Sequence, residues 1–237
     1  MSSNSFSDLT ALYINGTLKQ SPRTSNTRGL MDVSINIMQK EGVNVETLRL
    51  VDHQIPHGMD TDMTDYGYEK DEWNDLFKKV LKADILVVGT PIWMGTISSV
   101  TKKLIERLDS KSGELNDKGQ SIYYGKVAGC IVTGNEDGAK NCASTVLYAL
   151  QHMGYTIPPQ ADTAWLGKVG PGPSYLDDEA DAANHEFTNK NTTIMTYNLM
   201  HLSSILKAAK AYPPKGNDRE AWQDGTRWAF EKPQLTT

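Results

Sequence analysis

Short runs of β-branched and aliphatic residues alternate with longer stretches in which apolar side chains recur every three or four positions, and this rhythm occupies the first two thirds of the chain. Such alternation predicts βαβ units. Residues 11–14 (Ala-Leu-Tyr-Ile) read as the first strand; after a polar loop, Leu30, Val33 and Ile37 form one stripe of an amphipathic helix that should close at Gly42. Val43, Val45 and Thr47 alternate with Asn44, Glu46 and Leu48, the pattern of a half-buried edge strand. Trp73, Leu76, Phe77, Val80 and Leu81 mark a second helix, which leads into the continuous apolar run 85–89 of a parallel strand buried on both faces. Ile97, Val100, Leu104 and Leu108 mark a third helix. Residues 127–133 read as another buried strand, followed by a helix with Ala143, Val146, Leu147 and Leu150 inward and Gly154 as its C-terminal cap.

The fifth strand is the faintest, because Tyr155, Thr156 and Ile157 run into Pro158 and Pro159 before apolar character resumes at residues 164–166. Proline confines this segment to an edge. Residues 177–210 read as one long helix, with Met195, Leu199, Leu202 and Leu206 at helical intervals. The organisation is then a polar lead (1–9), one α/β domain (10–210) and an irregular tail (211–237). With Tyr212, Trp222, Trp228 and Phe230, the tail is too aromatic for an idle extension. It suits packing across a neighbouring subunit, over a ligand's edge, or back on its own domain.

Five parallel strands with right-handed crossovers can follow the order 2-1-3-4-5, a doubly wound sheet whose chain reverses direction between strands 1 and 3. Ligands of such sheets sit outside the carboxyl ends of the strands, at the reversal point. The loops placed there are residues 15–27, 90–98 and 133–138. The first is dense in hydroxyls, amides and cations ahead of a helix start, and no acid appears before Asp32. Free N–H groups and the helix dipole there suit a phosphate monoester, with Thr17, Lys19, Ser25, Asn26 and Thr27 as candidate ligands; equally, Ser25 can simply cap a helix. In the second loop Thr90, Pro91, Ile92, Trp93, Met94 and Gly95 combine a rigid turn, an aromatic and a glycine, which suits a flat ring, although Trp93 alone fits a packing role as well. In the third, Thr133, Gly134, Asn135, Asp137 and Gly138 suit ring carbonyls, ring N–H groups or ribityl hydroxyls, while Glu136 and Asp137 can also serve as caps.

Composition narrows the field. At 237 residues the chain exceeds the roughly 150 typical of one domain without requiring two. Its 24 Lys and Arg against 29 Asp and Glu leave a formal charge of −5 and no basic footprint for nucleic acid. No run of 18 apolar residues exists to form a membrane span, and the polar start lacks a signal-peptide pattern, so a cytoplasmic location is expected. Cys130 and Cys142 lack the close-spaced companions of a metal or redox site and read as reduced and buried. His53, His57, Asp60, Asp62 and Asp65 fit no cation-loop spacing and read as a solvated acidic loop.

The stretch ADILVVGTPIWMGTISSVTKKLIERL at residues 83–108, with the Ser-Asn-Thr helix entry of the first loop, resembles the flavodoxin-like NAD(P)H-dependent oxidoreductases, including the NADPH-dependent FMN reductases. The resemblance covers roughly residues 10–210. It implies a flavodoxin-like fold and noncovalent FMN, with hydride passing from NADPH or NADH to flavin N5 and on to a quinone or similar small acceptor by a ping-pong route. It further implies that backbone N–H groups around Trp93, Gly95 and Thr96 hydrogen-bond the flavin, that no side chain acts as an acid–base catalyst, and that the protein is a homodimer or homotetramer. Two departures stand out: the compact cysteine group of iron–sulfur members is missing, and Lys19, Gln20, Ser21 and Pro22 are inserted where shorter members turn directly. An electron-carrier flavodoxin that binds FMN without pyridine-nucleotide turnover is the alternative, opposed by the length and modest charge of this chain.

Overall fold

A computed structural model of the chain describes residues 6–170 and 172–233; the first half of the polar lead and the last four residues of the tail lie outside it. Strands β1 (Thr10–Asn15), β2 (Asn44–Arg49), β3 (Ile85–Trp93), β5 (Val127–Gly134) and β6 (Asp162–Leu166) pair in the order β2-β1-β3-β5-β6, all parallel. This is the doubly wound order expected from the sequence. An additional two-residue strand, β4 (Thr96–Ile97), folds back antiparallel on the end of β3. Ile97 therefore belongs to the sheet rather than to the third helix. The cause is a tight turn in which Met94 and Gly95 both adopt left-handed backbone (φ 51° and 73°), the geometry of a two-residue hairpin. Helix α3 (Ser99–Asp109) then starts behind Ser98, whose side chain accepts from the Thr101 N–H.

Side chains alternate across the sheet, as the two-residue period of a strand dictates. Leu12, Ile14, Leu86, Val88, Cys130 and Val132 face α2 (Trp73–Lys82), α3 and α4 (Ala139–Met153). Ala11, Tyr13, Ile85, Val87 and Ile131 face α1 (Asn26–Lys40) and α5 (Glu186–Ala208). The buried stripe of α1 is Leu30, Met31, Ser34, Ile35 and Met38, rotated from the expected Leu30, Val33, Ile37 line. A polar residue in mid-stripe explains the shift: Ser34 Oγ lies 2.7 Å from Tyr13 Oη and 2.6 Å from Thr196 Oγ1, so its burial leaves nothing unpaired. The long final helix also starts later than expected. Residues 178–184 form two short 3₁₀ turns separated by Asp181 in left-handed conformation (φ 45°), and α5 begins only at Glu186, where His185 caps it by accepting from the Thr188 N–H.

Two sets of long-range hydrogen bonds fasten the segments outside this layered core. The long β2–α2 connection is pinned by Arg107, which donates to Asp71 Oδ2 at 2.6 Å and to the Asp60 carbonyl at 2.7 Å, with both charged side chains fully buried. The tail runs through α6 (Arg219–Gln223) and packs on residues 118–120 and Thr156: Gln120 Nε2 donates to the Tyr212 carbonyl at 3.2 Å, and the Arg219 N–H donates to the Gly119 carbonyl at 2.8 Å. Thr156 bridges Val127, the first residue of β5, so this is the amino end of the strands, opposite the carboxyl-end loops. The described tail therefore does not cover those loops in its own chain. Trp222, Trp228 and Phe230 instead pack on one another there and remain partly exposed.

Removing the Asp71 carboxylate would strand a buried guanidinium. Asp71→Ala should lower the unfolding free energy by about 3–5 kcal/mol in a urea titration; a loss below about 1 kcal/mol, the range of an exposed pair, would contradict this account of the loop.

Candidate functional site

The first loop is assembled from its own polar side chains. Asn15, at the end of β1, donates through Nδ2 to Ser25 Oγ (3.1 Å) and accepts from the Thr17 N–H (3.0 Å), and Thr17 Oγ1 in turn accepts from the Lys19 N–H (3.3 Å). Gly16 has no room for a side chain: a Cβ there would lie 2.0 Å from Thr101 Oγ1. Ser25 caps α1 by accepting from the Arg28 N–H, and the first turn carries no acid. The N–H groups of Asn26 and Thr27 have no acceptor among the described residues, so the positive end of α1 is left available to an anion.

The second and third loops lock together. Glu136 Oε1 accepts from the Met94 N–H (3.0 Å), Asn141 Nδ2 donates to the Gly95 carbonyl (2.9 Å), and Gly138 (φ 125°) packs so closely on Gly95 that a Cβ would sit 2.4 Å from its oxygen. Thr90 is buried behind this turn, donating to the Pro91 carbonyl and accepting from the Ser98 N–H. Thr27 and Thr133 share a hydrogen bond of 2.8 Å that joins the first and third loops. A fourth loop, leaving β6, closes the ring. Asn135 Nδ2 donates to the Gly172 and Pro173 carbonyls (2.9 and 2.7 Å), Asn26 Oδ1 accepts from the Leu176 N–H (3.0 Å), and Trp165 and Tyr175 meet edge to face.

These loops enclose a cavity of about 510 Å³, within the range of small-molecule sites. Of the residues singled out from the sequence, Thr17, Lys19, Asn26, Thr27, Pro91, Ile92, Trp93, Thr133, Gly134 and Asn135 line it. Ser25, Thr90, Met94, Gly95, Asp137 and Gly138 do not; Ser25 and Thr90 support the wall from behind, and Gly95 and Gly138 form the joint between loops. Sequence reasoning missed Leu18, Glu136, Trp165, Val169, Gly170, Ser174 and Tyr175. The Gly- and Pro-rich segment after residue 166 carried the needed signal, since it also leaves the carboxyl end of a parallel strand.

Polar N–H and hydroxyl groups thus gather at the α1 end, and Trp93, Trp165 and Tyr175 supply flat apolar walls. Burial pushes the Tyr175 hydroxyl above its ordinary range, so it stays protonated at neutral pH. Among the described residues neither His nor Cys lines the cavity, and Glu136 and Lys19 are its charged members. Such a site suits a ligand that brings its own reactive group.

A parallel sheet in this order, with its cavity at the reversal between β1 and β3, defines the flavodoxin-like class of α/β proteins. Residues 9–166 match the family model of NADPH-dependent FMN reductases, and the chain belongs to that family. It is 38% identical over 224 residues to an 8-demethyl-8-aminoriboflavin-5'-phosphate synthase of Streptomyces davaonensis, covering 92% of this chain and 85% of that one. A crystal structure of RosB with bound 8-demethyl-8-formylriboflavin-5'-phosphate superposes with a TM-score of 0.81 at 36% identity, covering 97% of this chain and 92% of that one. A divalent metal cation transporter MntH of Mycobacterium bovis is 55% identical over 209 residues; the match takes in 88% of this chain but only 31% of that protein. No helix among the described residues is long and apolar enough to cross a membrane.

At the Gly95–Gly138 joint an added methyl group would strike the Gly95 backbone. Gly138→Ala should cost about 2–3 kcal/mol of stability, from positive φ and the clash together, measured by urea unfolding; a cost under about 0.5 kcal/mol would show that the loops are not locked there.

Proposed function

We propose that this chain is an FMN-dependent NAD(P)H oxidoreductase that passes hydride from NADPH or NADH to a quinone or similar small acceptor. One observation carries the reading: a single cavity joins hydroxyls and N–H groups without acceptors among the described residues, at the start of α1, to aromatic walls, the shape of a ring bearing a phosphate. The family match and the riboflavin-5'-phosphate derivative held by the RosB structure support a flavin phosphate as that ligand. When bound, FMN supplies the hydride chemistry through its N5 atom.

The chain's own part is binding and orientation. The Asn26 and Thr27 N–H groups and the Thr17 and Thr27 hydroxyls would hold the phosphate, and the absence of an acid in the first turn of α1 leaves the helix dipole unopposed. Trp93 and Tyr175 would flank the ring, while Gly134, with no space for a Cβ beside Ile92, lets the wall come close to it. Of the turn N–H groups, that of Met94 is held by Glu136, and that of Gly95 has no acceptor among the described residues. The exposed aromatic cluster of the tail supports a homodimer or homotetramer as the working form.

A second reading treats the flavin phosphate as substrate rather than cofactor. The 38% identity to an 8-demethyl-8-aminoriboflavin-5'-phosphate synthase favours it. One set of measurements separates the readings. The protein loaded with FMN should be yellow, bleach under anaerobic NADPH, recover with quinone, and return unaltered FMN by mass spectrometry. Failure to take up FMN would overturn both readings, uptake without bleaching would leave an electron carrier, and a chemically altered flavin would favour the synthase-like role. Thr27→Ala should weaken FMN by about 1–3 kcal/mol in a fluorescence titration; unchanged affinity would remove Thr27 from the phosphate site.

A further inference from the structure

Residues 18–24 of the first loop are tied to the fold from one side only. Asp52 accepts twice from Ser21, through Oδ1 from its N–H (2.9 Å) and through Oδ2 from its hydroxyl (2.6 Å). Arg49 Nη1 donates to the carbonyls of Arg23 (2.9 Å) and Lys19 (3.4 Å). Both residues stand on firm ground, Arg49 as the last residue of β2 and Asp52 at the end of a 3₁₀ turn whose Leu50 is fully buried. The other hydrogen bonds of this segment, Lys19 N–H to Thr17 Oγ1 and Arg23 N–H to the Gln20 carbonyl, stay within the loop.

The brace sets which way the loop's peptides face. A trans peptide points its C=O and its N–H in opposite directions. By drawing the carbonyls of Lys19 and Arg23 towards itself, Arg49 turns the N–H groups of Gln20 and Thr24 away, and neither has an acceptor among the described residues. Lys19, between Thr17 and this brace, lines the cavity.

We propose that Arg49 and Asp52 are positioning residues that hold the inserted first loop in the form that receives the flavin phosphate, without touching the phosphate themselves. The proposal rests on the flavin-phosphate reading and adds to it a role for the end of β2. It explains why an acid stands beside a loop otherwise cleared of acids: Asp52 is occupied by Ser21, whose two hydrogen bonds, together with the charge of Arg49, hold its carboxyl below the ordinary range. A carboxylate spent on a loop hydroxyl and N–H orders the loop before the ligand arrives, and ordering in advance lowers the cost of binding.

The sign of one substitution separates positioning from simple charge. If only charge counted, Asp52→Ala would strengthen binding of a dianion by removing a nearby negative group. Positioning requires the reverse. FMN and riboflavin affinities are measured side by side by fluorescence quenching for the wild type, Asp52→Ala, Asp52→Asn and Ser21→Ala, with thermal unfolding as a check on the fold. Asp52→Ala should weaken FMN about 5- to 20-fold, corresponding to one or two lost hydrogen bonds to a charged group, while riboflavin changes less than about twofold. Asp52→Asn, which keeps one acceptor, should recover part of the loss, and Ser21→Ala should weaken FMN although no charge is removed. Equal weakening of both flavins, unchanged FMN affinity, or tighter FMN in Asp52→Ala would overturn the proposal while leaving the flavin-phosphate reading intact. Wild-type protein that prefers neither flavin would overturn that reading and this one together.

Discussion

Two N–H groups at the start of α1 that find no acceptor among the described residues are the constraint around which the carboxyl rim is arranged. A helix leaves its first donors unpaired wherever it begins, and chains commonly answer with a capping Ser, Thr, Asp or Asn, with an acid in the first turn, or with water. Here the cap is Ser25, already accepting from Asn15 and from the Arg28 N–H, and no acid stands in the first turn. The surrounding loops bond to one another and leave those donors open. Thr27 meets Thr133, Asn135 holds the loop after β6, Glu136 holds Met94, and Asn26 holds Leu176 by its carbonyl oxygen. A rim built this way is shaped before any ligand enters, which favours tight binding of something anionic at one end and flat at the other.

The same economy of polar groups runs through the body of the domain. Ser34 and Thr196 are buried between α1, α5 and β1 because each hydroxyl finds a partner, and the Tyr13 hydroxyl joins them, its ionisation pushed far up by burial. On the other face the buried Arg107–Asp71 pair fastens a connection of some twenty residues whose own apolar anchors are few, although Arg107 Nε has no partner among the described residues. Its two charges are tolerated only as a pair. Cys130 and Cys142 are buried as well, and burial raises both thiols, Cys142 to about 11, which makes them packing residues and not nucleophiles at neutral pH.

Much of this was legible from periodicity. The parallel order, the edge position of β2 and the three loops at the reversal point follow from where apolar runs alternate with helical stripes. What escaped did so for physical reasons. Hydropathy patterns count Ser34 and Thr192 as polar, so they cannot show that hydrogen-bonded hydroxyls sit in the core, and the α1 stripe is read one position out of place. Left-handed backbone at Met94 and Asp181 is a tertiary outcome at residues other than glycine, which hid both β4 and the late start of α5. The wall formed by Trp165 and Tyr175 comes from a loop without periodicity, and the brace from Arg49 and Asp52 joins residues about thirty apart through backbone carbonyls and a serine. No spacing rule reports contacts of that kind.

A crystal structure of the protein grown with FMN tests the central claim most directly. The phosphorus should lie against the Asn26 and Thr27 N–H groups with the ring between the Trp93 loop and Tyr175, and the first loop should keep its present bonds to Arg49 and Asp52. A flavin bound with its phosphate elsewhere, or with the start of α1 facing only solvent, would contradict the account.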